Sequence, residues 1–445
     1  MRRTPKGLRL HIAIFGRRNV GKSSILNALT RQEVSIVSEI AGTTTDPVEK
    51  AMELLPIGPV LFIDTAGLDD IGALGEKRVA KTYKVFERAD IILLVSQANV
   101  WGEYEEEILE EARRRKTPIL VILNKTDLFK PEQDLGPVRS NPPLADAPNG
   151  HRGTSNGAKA KLNKEKIPYV ETCALNQGWE TAAKIKNELI KLLPSDWITP
   201  CPIIADLIEA DDLIILVIPI DKEAPKGRII LPQQQTLREI LDKKATALVV
   251  NERNLGKAIS NLKQPPKIVV TDSQVFEQVF ASTPLDIPVT SFSMLFARCK
   301  GDLKQLTEGA KRIDELNPGD KILIAEACTH HPIGDDIGRA KIPNWISERV
   351  GSKIGPAPDS QCRVNFDIYS GHDFPSNLKQ YKLIVHCGAC MLNRKEVLNR
   401  IYEAKSQGVP ITNYGVAIAY LHNKLERALE PFEKKKRDEN EKRLS

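Results

Sequence analysis

Gly16-Arg17-Arg18-Asn19-Val20-Gly21-Lys22-Ser23 fits the pattern G-x-x-x-x-G-K-[ST], and its flanks suit it as well. Leu8, Leu10, Ile12 and Ile14 alternate ahead of it as in a strand, and Ser24 to Leu29 reads as the opening of a helix. The two glycines let backbone N–H groups turn inward to cradle phosphate oxygens at the positive end of that helix. The loop from Gly16 through Asn19, Val20 and Gly21 to Ser24 is therefore read as nucleotide-binding. Lys22 reaches the β- and γ-phosphates, and the Ser23 hydroxyl is a ligand for Mg²⁺.

Further along, the apolar run Val60–Ile63 leads into Asp64-Thr65-Ala66-Gly67. A carboxylate at the end of a second strand suits Mg²⁺, and Gly67 permits close approach to a γ-phosphate. Base choice comes from Asn124-Lys125-Thr126-Asp127, after the buried-strand run Ile119–Leu123. The Asp127 carboxylate accepts from the N1–H and amino group of guanine, a donor pair that adenine lacks. Cys173-Ala174-Leu175 stands where a Ser-Ala-x segment presents a backbone N–H to the guanine O6. Of the threonines in Gly42-Thr43-Thr44-Thr45-Asp46, Thr44 is assigned to the Mg²⁺ shell. Lys22, Thr44, Asp64 and Gly67 are the expected catalytic set. Together these motifs, in the right order, read as a GTPase.

The chain has 445 residues, too many for one ordinary core. Its 41% hydrophobic and 27% charged residues are those of a globular protein. Its longer apolar runs, such as Leu213–Ile220, fall well short of the ~20 residues of a membrane helix, so no membrane association is expected. Of the net charge of +6, Lys130–Lys166 carries +3 and Glu433–Ser445 carries +2. Both are read as flexible, which leaves a nearly neutral body and no nucleic-acid footprint. Seven cysteines without a secretion signal favour reduced thiols in a cytoplasm.

The expected organisation is a P-loop GTPase domain over 1–195, with 130–166 as a disordered insertion rich in proline. A small α/β domain with a largely parallel sheet follows over 200–290, after the Pro200-Cys201-Pro202 knot. A second α/β domain covers 291–432, and 433–445 is a charged tail. This last domain holds the other chemical feature. Strand Lys321–Ala325 ends in Ala327-Cys328-Thr329-His330-His331, and strand Tyr381–Val385 ends in His386-Cys387-Gly388-Ala389-Cys390. Both pieces lie beyond the C-terminal ends of buried strands, where sites assemble in open α/β sheets. Cys328, Cys387 and Cys390 offer three thiolates, with His330 or His386 near a fourth position. That donor set suits structural zinc and a [4Fe–4S] cluster equally.

With the G motifs and Cys-x-His…His-Cys-x-x-Cys in one chain, the sequence resembles the [FeFe]-hydrogenase maturation GTPases, from Thr4 to about Phe432. The resemblance rests on Gly-Arg-Arg-Asn-Val-Gly-Lys-Ser-Ser, Asp-Thr-Ala-Gly-Leu-Asp-Asp, Ala-Cys-Thr-His-His-Pro and His-Cys-Gly-Ala-Cys-Met-Leu-Asn-Arg. It implies GTPase, dimerisation and iron–sulfur cluster domains, and a [4Fe–4S] cluster on Cys328, Cys387 and Cys390, with His330 and His386 near the fourth position. The implied role is a homodimeric scaffold that completes and delivers the hydrogenase's two-iron subcluster precursor. Its implied partners are two radical-SAM maturases and the apo-hydrogenase. Leu68 replaces the glutamine that orients water in many switch GTPases. The G domain in this respect resembles a branch in which an asparagine placed like Asn19 helps hold K⁺, which implies slow, K⁺-stimulated hydrolysis. The alternative is an RNA-modification or ribosome-assembly GTPase with a structural zinc site; a metal carrier with a vestigial GTPase is a third.

Overall fold

Strand β1 (Leu10–Phe15) is buried along its whole length, as expected of a parallel strand covered on both faces. The computed structural model describes residues 4–30, 38–40, 48–65, 84–98, 100–128, 155–173, 178–219, 229–327, 337–352 and 364–444. The chain forms two compact units, Met1–Pro200 and Cys201–Ser445.

In the first unit β1 is the middle of a seven-stranded sheet, ordered β2-β3-β4-β1-β5-β6-β7. The strands are β2 (Ser38–Ile40), β3 (Val48–Leu54), β4 (Gly58–Asp64), β5 (Ile91–Gln97), β6 (Ile119–Asn124) and β7 (Tyr169–Glu171). The strands from β4 through β7 run parallel, while β3 and β2 are antiparallel additions at one edge. Helices α1 (Lys22–Thr30) and α4 (Gly178–Lys191) bury Ile25, Leu29, Ile185 and Leu189 on one face of the sheet. On the other face, α2 (Glu103–Arg114) and α3 (Ser155–Lys164) bury Leu109, Ala112 and Leu162.

Helix α3 corrects the expectation of disorder for the end of 130–166. Leu162 is fully buried, and Lys161 pairs with Glu106, Arg113 with Glu165 and Lys159 with Glu171 (2.9 Å). Ala158, Leu162 and Ile167 supply an apolar stripe that the surrounding lysines mask in the sequence. Part of the positive charge assigned to a flexible insertion thus lies on a folded helix. Residues 130–154 lie outside the described residues.

The second unit holds two parallel four-stranded sheets over one continuous hydrophobic core. The first sheet is ordered β11-β10-β8-β9, from β8 (Leu213–Val217), β9 (Thr246–Val250), β10 (Ile268–Thr271) and β11 (Val289–Ser291). The second is β13-β12-β14-β15, from β12 (Lys321–Glu326), β13 (Asn365–Ser370), β14 (Leu383–His386) and β15 (Ile411–Asn413). The mixed α/β class with parallel sheets agrees with the sequence reading. Helix α5 (Phe292–Lys300) and helix α6 (Arg394–Ser406) touch each other in this unit. The tail read as flexible is the end of helix α7 (Leu425–Leu444), and Lys435 in it pairs with Asp206. Among the described residues no helix is long and apolar enough to cross a membrane.

Candidate functional site

The phosphate loop connects β1 to α1, and both of its glycines are required by space as well as by backbone angle. Gly16 has φ +150° and Gly21 has φ +102°; a Cβ would stand 2.2 Å from the Val95 carbonyl oxygen at the first and 2.2 Å from Asn124 Nδ2 at the second. Buried Lys22 extends its ammonium across the loop to the carbonyls of Gly16 and Arg17, the latter at 3.0 Å. Asp64 ends β4 beside β1, in register with Ile14 and two residues short of Gly16. Thr65 fastens that strand end by donating its hydroxyl to the Ile14 carbonyl at 2.7 Å.

The base-recognition segment is wired to the same loop. Asn124 Nδ2 donates to the Val20 carbonyl (2.9 Å), Lys125 Nζ to the Asn19 carbonyl (2.6 Å), and Thr172 Oγ1 to Asn124 Oδ1 (3.1 Å). Asn19 and Lys125 both adopt positive φ, +62° and +59°, which an asparagine tolerates better than most residues. Asp127 lies exposed on a 3₁₀ turn, and Cys173 is buried just beyond Thr172. The structure thus brings together Gly16, Asn19, Val20, Gly21, Lys22, Ser23, Ser24, Asp64, Asn124, Lys125, Asp127 and Cys173 at one end of the parallel strands. Thr44, Gly67, Leu68 and Ala174 lie outside the described residues.

A second set of partners was not anticipated from sequence. Arg17 makes a forked ion pair with Glu105 (2.8 and 2.9 Å), whose side chain is wholly buried. Glu105 also accepts from the Gly102 N–H at 2.9 Å, and the Gly16 N–H donates to the Tyr104 hydroxyl at 3.2 Å. The start of α2 therefore anchors the phosphate loop from the side.

In the second unit, β12 and β14 are adjacent and parallel, with Ala325 opposite His386, and the Cys387 N–H donates to the Ala325 carbonyl at 2.9 Å. The two strand ends therefore emerge side by side. Cys387 Sγ accepts from the N–H of Ala327 at 3.0 Å and of Ala389 at 3.4 Å. Two backbone donors aimed at one half-buried sulfur suit a metal-bound thiolate, which is a far better acceptor than a thiol. Burial pushes the free Cys387 thiol up to about 11, against the pull of those two N–H groups. Metal binding would displace its proton. Ala327, whose N–H meets Cys387 Sγ, is the residue before Cys328 in the sequence. Cys328 and His330 themselves lie outside the described residues. Among the described residues no three such donors gather at one point; Cys387 and Cys390 are thiols of the kind that ligate a metal.

Lys300, the last residue of α5, closes this loop from beneath. It is 7% exposed, and its ammonium donates to the carbonyls of Ala389 (3.0 Å), Leu392 (3.1 Å) and Cys390 (3.5 Å). Burial lowers its pKa from the ordinary value.

His386, expected near the fourth ligand position, has both ring nitrogens hydrogen-bonded within the protein. Its Nδ1–H donates to the Cys387 carbonyl (2.8 Å), and Arg400 Nη1 donates to its Nε2 (3.0 Å). Burial and then the Arg400 charge hold its pKa down at about 4. With both nitrogens committed, His386 is a neutral buttress of the loop. Arg400 in turn is held by Glu396 (3.1 Å) and by the Gly371 carbonyl (3.0 Å).

Three family models match the chain: "50S ribosome-binding GTPase" over residues 11–125, "Hydrogen maturase F dimerization domain" over 203–301 and "Hydrogen maturase F tetramerization domain" over 304–431. The chain belongs to the hydrogen maturase F family. It combines a P-loop GTPase domain with dimerisation and tetramerisation domains. The region expected to be the iron–sulfur cluster domain is the one that matches the tetramerization model. Among curated relatives, the tRNA modification GTPase MnmE of Picosynechococcus sp. is 32% identical over 43% of this chain and 45% of its own length. GTPase Der of Wolinella succinogenes is 42% identical over 27% of this chain and 26% of its own. The chain therefore spans less than half the length of these relatives. Among solved structures, Aquifex aeolicus Era covers 62% of this chain and 99% of its own at 20% identity and a TM-score of 0.29. The G domain of the T. maritima FeoB iron transporter covers 42% and 99% at 20% identity and a TM-score of 0.28.

Proposed function

We propose that this hydrogen maturase F relative is a GTP-hydrolysing scaffold that binds a [4Fe–4S] cluster and hands a two-iron precursor to apo [FeFe]-hydrogenase. The observation that carries the reading is the Cys387 cradle, set beside the strand leading to Cys328, in a chain whose second unit matches both hydrogen maturase F domains. Cys328, Cys387 and Cys390 would hold the cluster, which supplies an iron with an open position for the incoming group. Lys300 would pin the loop carrying two of those ligands, and the Ala327 and Ala389 N–H groups would orient one sulfur. Radical-SAM maturases and the apo-hydrogenase are the partners this role requires, with the chain acting as a homodimer or higher assembly in the cytoplasm.

In the first unit Lys22 would meet the phosphates, Ser23 and Thr44 would ligate Mg²⁺, with Asp64 behind them, and Gly67 would face the γ-phosphate. Asp127, with Asn124, Lys125, Cys173 and Ala174, would select guanine. GTP then acts as a switch on partner exchange.

Oxygen-free purification with iron, sulfide and zinc analysis tests the reading. Brown protein with about four irons per protomer is expected, and Cys387→Ser should remove the iron while leaving GTP turnover. Colourless protein with stoichiometric zinc would overturn it. Turnover should also be slow and faster in K⁺ than in Na⁺, through Asn19 beside the phosphates; equal rates in the two salts would remove Asn19 from that role.

A further inference from the structure

Cys201 and Cys299 lie outside the thiolate loop and have no part in the proposed scaffold. Cys201 opens the second unit between two prolines, and Cys299 is the penultimate residue of α5. They are 98 residues apart in sequence, yet Cys299 Sγ donates to the Cys201 carbonyl at 3.1 Å. Both are partly exposed.

The juxtaposition is built. Glu239 accepts from the N–H groups of Ile203 (3.1 Å), Ile204 (2.5 Å) and Ala205 (3.0 Å), fixing the segment that follows Cys201. Arg298 donates to the carbonyls of Pro202 (3.1 Å) and Ile203 (2.8 Å) and pairs with Asp206 at 2.7 Å, tying that segment to α5. Arg394 Nε donates to the Cys299 carbonyl at 2.8 Å. Two structural thiols need only apolar cover; a partly exposed pair, drawn together through the Cys201 carbonyl and flanked by two guanidinium groups, has the make-up of an exchange site.

We infer that Cys201 and Cys299 form a thiol–disulfide exchange site, in which Cys201 attacks a small-molecule disulfide and Cys299 resolves the product. The Cys201 thiolate attacks one sulfur of R–S–S–R, forming Cys201–S–S–R and releasing one thiolate. Cys299 then loses its proton and attacks Cys201 Sγ, forming the internal disulfide and releasing the second thiolate. Two electrons pass from the protein dithiol to the external disulfide, which leaves as two thiols.

The charge distribution supports this division of labour. The Cys299 hydrogen bond, then Arg394 and Arg298, lower the Cys201 pKa to about 6 against burial and Asp206. Cys299 keeps the proton, its pKa raised by the Cys201 partner, burial and Glu239. Lys300 faces Cys299, and Lys435 shares Asp206.

The test treats the full-length protein, free of oxygen, with oxidised glutathione, then quenches by alkylation and maps peptides by mass. The native chain should yield a 201–299 disulfide, and Cys299→Ser should instead accumulate glutathione on Cys201. Cys201→Ser should leave Cys299 at least about ten times slower to react than Cys201 is in the native chain. The native rate should fall as pH drops, with its midpoint near 6 where an ordinary cysteine would show about 8.5. Glutathione persisting on native Cys201, a midpoint near 8.5, or no modification of either residue would each overturn the inference. The readout needs neither bound metal nor nucleotide, so it stands or falls apart from the scaffold reading.

Discussion

Lys300→Met is expected to strip the thiolate loop of the proposed metal group without touching a single proposed ligand. The substitution keeps most of the side-chain volume and removes the donor that serves three loop carbonyls, Ala389, Cys390 and Leu392. The Ala389 carbonyl keeps the Leu392 N–H at 3.2 Å, while a buried carbonyl left without any donor costs about 1–3 kcal/mol. The loop that carries Cys387 and Cys390 would therefore relax away from the conformation in which Ala389 takes a positive φ of +52°. The charge acts in the same direction. The proposed cluster with its three thiolates would be a net negative group, and a buried cation bonded to the loop that carries two of them would offset the cost of burying that charge. Iron retained per protomer after a brief chelator challenge should fall at least tenfold against the native protein. The cluster that survives should have a more negative midpoint potential. Thermal unfolding of the metal-free variant serves as the control for folding of the second unit, since the first unit has its own cores and its nucleotide binding would not report on it. Native iron retention together with an unchanged potential would show that Lys300 only fills space.

Lys300 also marks where sequence reading stops. The phosphate loop and Asn124–Asp127 were legible because their chemistry is local, with each motif closing on itself within eight residues. The parallel sheets were legible because strands buried on both faces leave unbroken apolar runs such as Ile91–Val95 and Ile214–Val217. The supports of both sites were not legible, because they come from far along the chain. Lys300 closes a loop 92 residues away from it, and Arg17 meets Glu105 across 88. Glu105 is hidden in a different way. It sits in the acidic run Glu103–Glu107, which reads as a solvated helix face, yet its side chain is wholly buried. His386 shows the same split. Its neighbours in sequence are thiols, whereas its neighbour in space is Arg400, 14 residues on along α6. Helix α3 was missed because one buried leucine among lysines carries too little periodic signal. In each case the sequence supplies the reacting group and the fold supplies its partner.

Asp127→Asn is the largest change expected in the first unit, and it separates base choice from everything else the G domain does. Asp127 stands exposed on its 3₁₀ turn, while its neighbours Asn124 and Lys125 are tied to Val20 and Asn19 of the phosphate loop. The turn is therefore fixed relative to the phosphates, and only the side chain reads the base. An ionised carboxylate accepts two charge-assisted hydrogen bonds from guanine, each contributing about 1.5–3 kcal/mol. An amide presents a donor where guanine also presents one, so GTP affinity should fall roughly 10²- to 10³-fold. Xanthine carries a carbonyl in place of the amino group and accepts from that same amide. The variant should therefore bind xanthosine triphosphate more tightly than GTP and hydrolyse it at close to the native GTP rate, since Lys22, Ser23 and Asp64 are untouched. Competition between the two nucleotides for a fluorescent analogue measures the switch directly. If the variant keeps its preference for GTP, the carboxylate is not what selects the base, and the contact belongs to the segment after Cys173.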